Sequence, residues 1–497
     1  MVPISEPQSG YVGKLTPPEE QKLRQFWRIL IQSWDASLPT PIGALEQVKC
    51  KSATKGHRIF FSLTRSPAQP SEEETSAIPV NLLTSLKALD AGPGEIKTVQ
   101  SLLLKFPGRM LRFAFLASLK QDHPDALLLR FLRAEKWNLP KAWIKLVAAL
   151  NWRINEYKVD KEVLLKGEGY AAGKSQTSGT PTEKDYGEQF TLQLSSGKHF
   201  FHGCDRWNRP LCIVRVRLHD PTTQSQKPLN DYVVHCIETV RLLQVAPVES
   251  LTIVFDLTSF TVSNWEFPPI KFIIECFQQN YPESLGAMIF YNAPWFFAGM
   301  WKLIQTVLDP VVAAKVHFIT GATALEEIIP RERILKELGG EEEWDYEYIG
   351  PSPDENEKLK DTAARDVILA EREKLGDEFF SLTVDWMSSS EPKSLHTRNE
   401  VIEDLRRNYW DLDPYVRART ILDRTGVIKG DGAVDFYPAT RPESTKSAKS
   451  SESVHSIQSV ESIETLESCK SSKSEVNEKQ MVEADAISET HVPPVAA

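Results

Sequence analysis

Two apolar periods divide the chain. Residues 1–20 are polar and proline-bearing and read as loose. Phe26, Trp27, Ile29, Leu30, Ile31 and Trp34 follow at helical spacing, and Ile59–Leu63 is strand-like. Ser66–Pro79, rich in Pro, Ser and Glu, reads as a linker. A helical block runs from Asn81 to Leu164. Its clearest member is Pro140–Tyr157, where Pro140 suits a first turn and Ala142, Leu146, Ala149, Leu150 and Ile154 form a stripe. Small and polar residues over 167–189 read as a loop. Beyond Phe190, strand-like Leu211–Leu218, Leu251–Leu257, Ala287–Tyr291 and Val316–Ile319 alternate with helical 229–245, 268–280 and 296–308. Charged helix returns over 354–425, including Arg398–Trp410.

Strands that alternate with helices imply an α/β fold, a mainly parallel sheet with covering helices, here preceded by an all-helical subdomain. The predicted division is an N-terminal extension and linker (1–80), a helical subdomain (81–166), a loop (167–189), an α/β domain (190–350), a helical C-terminal extension (351–437) and a Ser/Lys/Glu-rich tail (438–497). The tail carries almost no aromatic residue and is expected to be disordered, because it cannot bury enough apolar surface to offset its ordering entropy.

The chain has 497 residues, 41% of them hydrophobic, enough for a sizeable core. A net charge of −10 argues against general nucleic-acid binding. Six cysteines form no CxxC pair and show no metal-ligand spacing, so they read as reduced thiols and no metal site is expected. No secretory leader pattern opens the sequence, and no apolar run reaches the roughly 18 residues of a membrane span. A cytoplasmic protein that meets membranes peripherally is expected.

Two motifs mislead. His235-Cys236 before Arg241 is similar to a cysteine phosphatase loop, but the spacing is one residue short and holds no glycine. Gly173-Lys174-Ser175 lacks the first glycine and the preceding strand of a phosphate-binding loop. No set of catalytic residues is recognised.

Three segments carry a resemblance. The first is Leu127-Leu128-Leu129-Arg130-Phe131-Leu132-Arg133-Ala134-Glu135-Lys136-Trp137. The second is Gly203-Cys204-Asp205-Arg206-Trp207-Asn208-Arg209-Pro210, a turn that enters a strand. The third runs from Phe255-Asp256-Leu257 through Asn280-Tyr281-Pro282-Glu283, Asn292-Ala293-Pro294-Trp295, Leu308-Asp309-Pro310 and Lys315 to Leu338-Gly339-Gly340. In this order, over residues 100–345, they resemble the CRAL-TRIO lipid-binding family, specifically its fungal phosphatidylinositol-transfer type.

At 100° per residue, Phe296, Phe297, Met300, Trp301, Leu303, Ile304, Val307 and Leu308 share one broad face of a helix. That face suits a core helix on the sheet. It equally suits a lid that covers acyl chains when shut and touches a bilayer when open. The resemblance implies the lid, with Phe296, Phe297, Met300, Trp301 and Ile304 as its gate residues. It also implies head-group contacts at Glu283, Lys315 and Gly340. The sequence departs from the pattern twice: the family's head-group arginine falls on Glu135, and a family threonine falls on Val312. The family's choline-phosphate contacts fall on Phe201, Cys212, Leu251, Ile253 and Phe277, an apolar pocket wall that suits acyl chains or a sterol-like ligand.

The implied function is non-enzymatic. The protein would carry one phospholipid, phosphatidylinositol foremost, between cytosolic membrane faces, or present it to a lipid-modifying enzyme. The bound phospholipid is cargo, and no cofactor is expected. The alternatives are a membrane-recruitment module that holds a sterol-like ligand without transfer, and a lipid hydrolase.

Overall fold

The computed structural model describes residues 9–38, 78–176, 180–388 and 392–438. The strand-like Ile59–Leu63, most of the linker Ser66–Pro79 and nearly all of the 438–497 tail lie outside them. Residues 9–20 are folded onto the protein. Thr16 and Glu19 make a capping box, with the Thr16 amide donating to Glu19 Oε2 at 2.8 Å, and helix α1 (Pro17–Ile31) starts there. The expectation of a loose segment missed this cap, which is written in the Thr-Pro-Pro-Glu sequence.

Helices α2 (Val80–Ala88), α3 (Pro93–Lys105), α4 (Gly108–Leu119), α5 (Pro124–Ala134) and α6 (Leu139–Asn151) form the helical block. The 167–189 loop is largely helical instead: α7 (Gly167–Gln176) and α8 (Pro181–Ser195). Thr180 and Glu183 cap α8 and Pro181 opens it, signals that outweigh the run of small residues. Gly173–Ser175 therefore sits in a helix.

Five strands follow: β1 (His199–Cys204), β2 (Pro210–Arg215), β3 (Leu251–Asp256), β4 (Leu285–Tyr291) and β5 (Val316–Ile319), in spatial order 1-2-3-4-5. β1 is antiparallel to β2, and the other pairs are parallel. Strand β1 was absent from the sequence-based expectation. The β2 run is shorter than predicted, because Arg215 opposite Asp256 is the last pair and Val216–Leu218 turn away as a 3-10 turn. Covering helices are α9 (Gln226–Leu243), α10 (Phe267–Glu275) and α11 (Phe297–Gln305). His235 and Cys236 lie within α9.

The β1–β2 turn explains the glycine-and-aspartate motif. Asp205 is fully buried. Its carboxylate accepts from the amides of Trp207 and Arg209 at 2.9 Å, from Arg209 Nε at 2.6 Å and from the Thr252 hydroxyl at 2.7 Å. Gly203 has φ +69°, and a Cβ there would lie 2.7 Å from the Tyr437 hydroxyl.

The C-terminal helices α12 (Thr362–Ser388) and α13 (Pro392–Val416) are not a separate extension. Phe379, Trp386, Val401 and Leu405 share one apolar cluster with Trp27, Phe115 and Trp143. The Trp27 ring meets Phe115 and Phe379 edge-on at 5.4 and 5.5 Å. Fully buried Arg398 of α13 grips Asp125 of α5 through two bonds of 2.6 and 2.8 Å. Burial alone would raise the Asp125 carboxyl, but Arg398 holds it down at about 2.

Candidate ligand cavity

Side chains alternate across a strand, so each strand presents one row to α9–α11 and another to the opposite face. The register lines up Phe201, Cys212, Ile253 and Met288 as neighbours on four strands. Val214, Phe255, Phe290 and Phe318 make the next row. Over these rows lies a cavity of about 1430 Å³ of empty space, part of it open to solvent. All five predicted wall residues, Phe201, Cys212, Leu251, Ile253 and Phe277, line it. Burial pushes the Cys212 thiol well above its usual range, so it stays neutral in this apolar wall.

Helices α9 and α10 close two sides with Ile237, Val240, Ile270 and Ile273. Pattern alone assigned these residues to helices but not to the cavity. Helix α9 is held from behind. Its Glu238 is fully buried and receives Arg153 at 2.6 Å, Lys120 at 2.5 Å and the Tyr281 hydroxyl at 2.7 Å. Burial lowers Lys120 to about 8 despite this partner. The charges tie α4, the segment after α6 and the Tyr281-Pro282 turn to one helix of the cavity wall.

Helix α11 is the roof. Phe297 and Ile304 are 3% and 4% exposed and line the cavity. Phe297 meets Phe290 at 5.1 Å, and Trp301 meets Phe290 and Phe318 at 5.5 and 5.3 Å. Phe296 stacks on Phe260 at 5.9 Å, and Phe296, Met300 and Trp301 are half-buried at the rim. Leu303, predicted on the inner face, is 44% exposed, and Trp295 just before the helix is 89% exposed. The short helix is narrower in its buried stripe than the sequence projection, because Ala298, Gly299, Lys302 and Leu303 on its outer side are left exposed among the described residues.

The predicted head-group residues do not converge as a triplet. Lys315 and Glu283 lie at the starts of β5 and β4 and pair at 3.1 Å, and neither lines the cavity. Gly340 packs on Ile334, whose carbonyl would lie 2.0 Å from a Cβ, in the cluster on the other sheet face. Gly340 is thus explained by close packing. Glu135 ends α5 and pairs with Lys145 at 2.7 Å, and Val312 packs against the cavity's apolar cluster. Arg133 is held by Glu249 at 2.7 Å and lies 3.9 Å from the Tyr11 ring. The Tyr11 hydroxyl is raised by burial first; Arg133 lowers it and Glu283 raises it, which places both charges around this ring.

The cavity's polar corner was missed altogether. Lys198, His219 and Glu266 line it, joined by Lys198 Nζ to His219 Nδ1 at 3.3 Å and His219 Nε2 to Glu266 Oε2 at 3.1 Å. These residues come from three separated segments, so no local signal could have found them. No group of three or more His, Cys, Asp or Glu suited to a metal occurs among the described residues, and no described helix is long and apolar enough to cross a membrane.

Comparison with known proteins agrees with this architecture. The CRAL/TRIO domain family model matches residues 194–340, and the CRAL/TRIO N-terminal domain matches residues 97–148. A CRAL-TRIO domain-containing protein of Schizosaccharomyces pombe is 33% identical over 427 residues, covering 84% of this chain and 92% of its own. The phosphatidylinositol transfer protein CSR1 of Eremothecium gossypii is 32% identical over 440 residues, covering 84% and 98%. The crystal structure of Sfh5 is a more distant likeness, with 17% identity, a TM-score of 0.34, and coverage of 46% of this chain and 80% of that one. A helical block before a five-stranded, mostly parallel sheet, an apolar cavity beneath a short amphipathic helix, and this similarity over nearly whole chains establish that the protein belongs to the CRAL-TRIO family.

Proposed function

We propose that the protein is a non-enzymatic lipid carrier that holds one bilayer lipid in the cavity beneath α11, with phosphatidylinositol as a principal cargo. The observation that carries this reading is the roof. Helix α11 turns Phe297 and Ile304 onto an apolar cavity and leaves Trp295 and Leu303 exposed beside it. Apolar chains in the cavity favour the shut roof, and a bilayer that receives Trp295 and the inner aromatic face favours the open one. The lipid is cargo and no cofactor takes part. Exchange would occur at cytosolic membrane faces, by peripheral contact, and could end in presentation to a lipid-modifying enzyme.

For phosphatidylinositol, the head group is placed at the Glu283–Lys315 pair. Lys315 follows Leu308 of the cavity wall by seven residues and is 22% exposed, so a phosphate could reach it. The relative CSR1 bears the name of a phosphatidylinositol transfer protein, which supports this cargo. Transfer of labelled phosphatidylinositol between vesicles tests the reading. Lys315→Ala is expected to reduce it about 10- to 150-fold, the loss of one charge-assisted hydrogen bond of about 1.5–3 kcal/mol. Unchanged transfer would remove the head group from this place. Absence of transfer by the unmodified protein, with lipid still bound, would favour a recruitment module that holds a sterol-like ligand.

A further inference from the structure

We propose that Lys198 is the anchor for a single anionic group carried on an apolar chain that lies wholly inside the cavity. This rests on the carrier reading above but concerns a site different from the Glu283–Lys315 pair. Lys198 lies just ahead of β1, is 8% exposed and lines the cavity. A lysine has three donors and no acceptor. One donor is used on His219 Nδ1 at 3.3 Å. That bond leaves His219 Nε2 as the donor to Glu266 at 3.1 Å, so the imidazole is neutral and adds no countercharge.

Among the described residues no carboxylate lies within ion-pairing distance of Lys198. The other cations buried to a similar degree differ. Lys120, Arg130, Arg153, Arg241, Arg398 and Arg417 each have a carboxylate, as does Arg215. Arg372 is held by the carbonyls of Leu405 and Leu116 at 2.9 and 3.2 Å. Among the described residues, Lys198 alone of these cations faces the apolar cavity with no carboxylate in contact; Glu266 and Asp220 offset its charge only from farther off. Such a charge is unfavourable in the empty protein and is compensated by an anion brought in with the ligand. Burial lowers its ammonium to about 8, so it still carries a proton at neutral pH.

The chemistry fits a fatty-acid carboxylate or the phosphodiester of a phospholipid, since either puts one negative charge at the end of chains that the apolar rows can cover. Doubly charged head groups fit less well, because Glu266 stands behind His219 in the same corner.

The test uses the full chain, stripped of lipid and incubated with oleate, with phosphatidylcholine vesicles or with phosphatidylinositol vesicles. Native mass spectrometry counts the bound lipid. Lys198→Met is expected to lower occupancy by oleate, by phosphatidylcholine or by both at least tenfold, while Lys198→Arg keeps it. A loss confined to oleate assigns the carboxylate, and one confined to phosphatidylcholine assigns the phosphodiester. Phosphatidylinositol loading, with its head group at Lys315, should persist in Lys198→Met. The lipid-free Lys198→Met and Lys198→Gln proteins should melt no lower than the unmodified protein, since each loses a buried charge that no carboxylate contacts. Earlier melting of both variants would overturn the anchor by showing that the ammonium is satisfied internally. Wild-type occupancy by oleate and phosphatidylcholine in Lys198→Met would also overturn it. So would an unmodified protein that loads phosphatidylinositol but neither other lipid, a result that leaves the carrier reading standing. An unmodified protein that takes up no lipid from any source overturns the carrier reading and the anchor together.

Discussion

Asp205 shows how one carboxylate sets the edge of the cavity floor. It receives two amides of its own turn, one guanidinium and the Thr252 hydroxyl of β3, all while fully buried. The turn thereby fixes the pairing of Cys204 with Pro210 and, through Thr252, the position of β2 beside β3. Asp205→Ala would leave Arg209 without its partner and two turn amides without an acceptor. It is expected to destabilise the protein by about 3–5 kcal/mol, seen as a lower urea midpoint with unchanged slope. A loss under about 1 kcal/mol would mean that water replaces the carboxylate and that the turn is held mainly by its backbone. The motif was legible in sequence, whereas its partner Thr252 lies 47 residues away and was not.

On the proposed reading, helix α11 combines two jobs that pull in opposite directions. Phe297 and Ile304, which are buried, would stabilise a shut state, and the neighbouring Trp295 and Leu303 are exposed where a bilayer would take them. Replacing Phe297 and Trp301 together by Asp puts two charges against Phe290 and Phe318. Each is expected to cost about 2–4 kcal/mol where it meets an apolar core or lipid, and exchange between vesicles should cease while the circular dichroism spectrum is retained. Unfolding of the double variant would instead mark α11 as a core helix. Trp295→Ala separates the two roles: it should weaken vesicle binding and leave the melting temperature unchanged, because surface substitutions rarely exceed about 0.5 kcal/mol. Equal vesicle binding by this variant would remove Trp295 from the membrane contact. The helix itself was plain from its 3.6-residue period, but the exposure of Leu303 depended on how few elements pack on its outer side.

At the scale of the whole molecule, the cavity depends on parts far from it in sequence. The C-terminal helices complete the N-terminal helical core through Phe379, Trp386 and the Arg398–Asp125 pair. Trp410 near the end of α13, and Leu422 and Ile428 beyond it, belong to the apolar cluster of the cavity itself. Truncation after Gly350 should therefore yield an insoluble or non-cooperatively unfolding protein, since it exposes both clusters and strands Asp125. Truncation after Pro438 should preserve folding and lipid transfer, because the Ser-, Lys- and Glu-rich composition beyond it carries no periodic apolar face. Urea melts and a transfer assay on the two truncated proteins check this. A soluble, cooperatively folded 1–350 fragment, or a 1–438 protein without transfer, would contradict the dependence described.

Sequence by itself determined the alternation of strands and helices, the four strands β2–β5 and the amphipathic α11, and family resemblance pointed to five apolar residues that the structure sets on the cavity lining. Each rests on local information: a period of 2 or 3.6, a cap, or a motif of a few residues. Tertiary structure alone decided the rest. It added β1, whose His199–Cys204 sequence holds only the apolar pair Phe200-Phe201 between histidines where its partner has a continuous apolar run, and it merged the C-terminal helices with the N-terminal core. It kept Gly340 on the opposite sheet face from the cavity and paired Lys315 with Glu283. It also brought Lys198, His219 and Glu266 into one corner from three distant segments. The physical reason is common to all of these. An apolar stripe or a charge specifies that it needs a partner, but many partners along the chain would serve, and only packing of the complete set chooses among them.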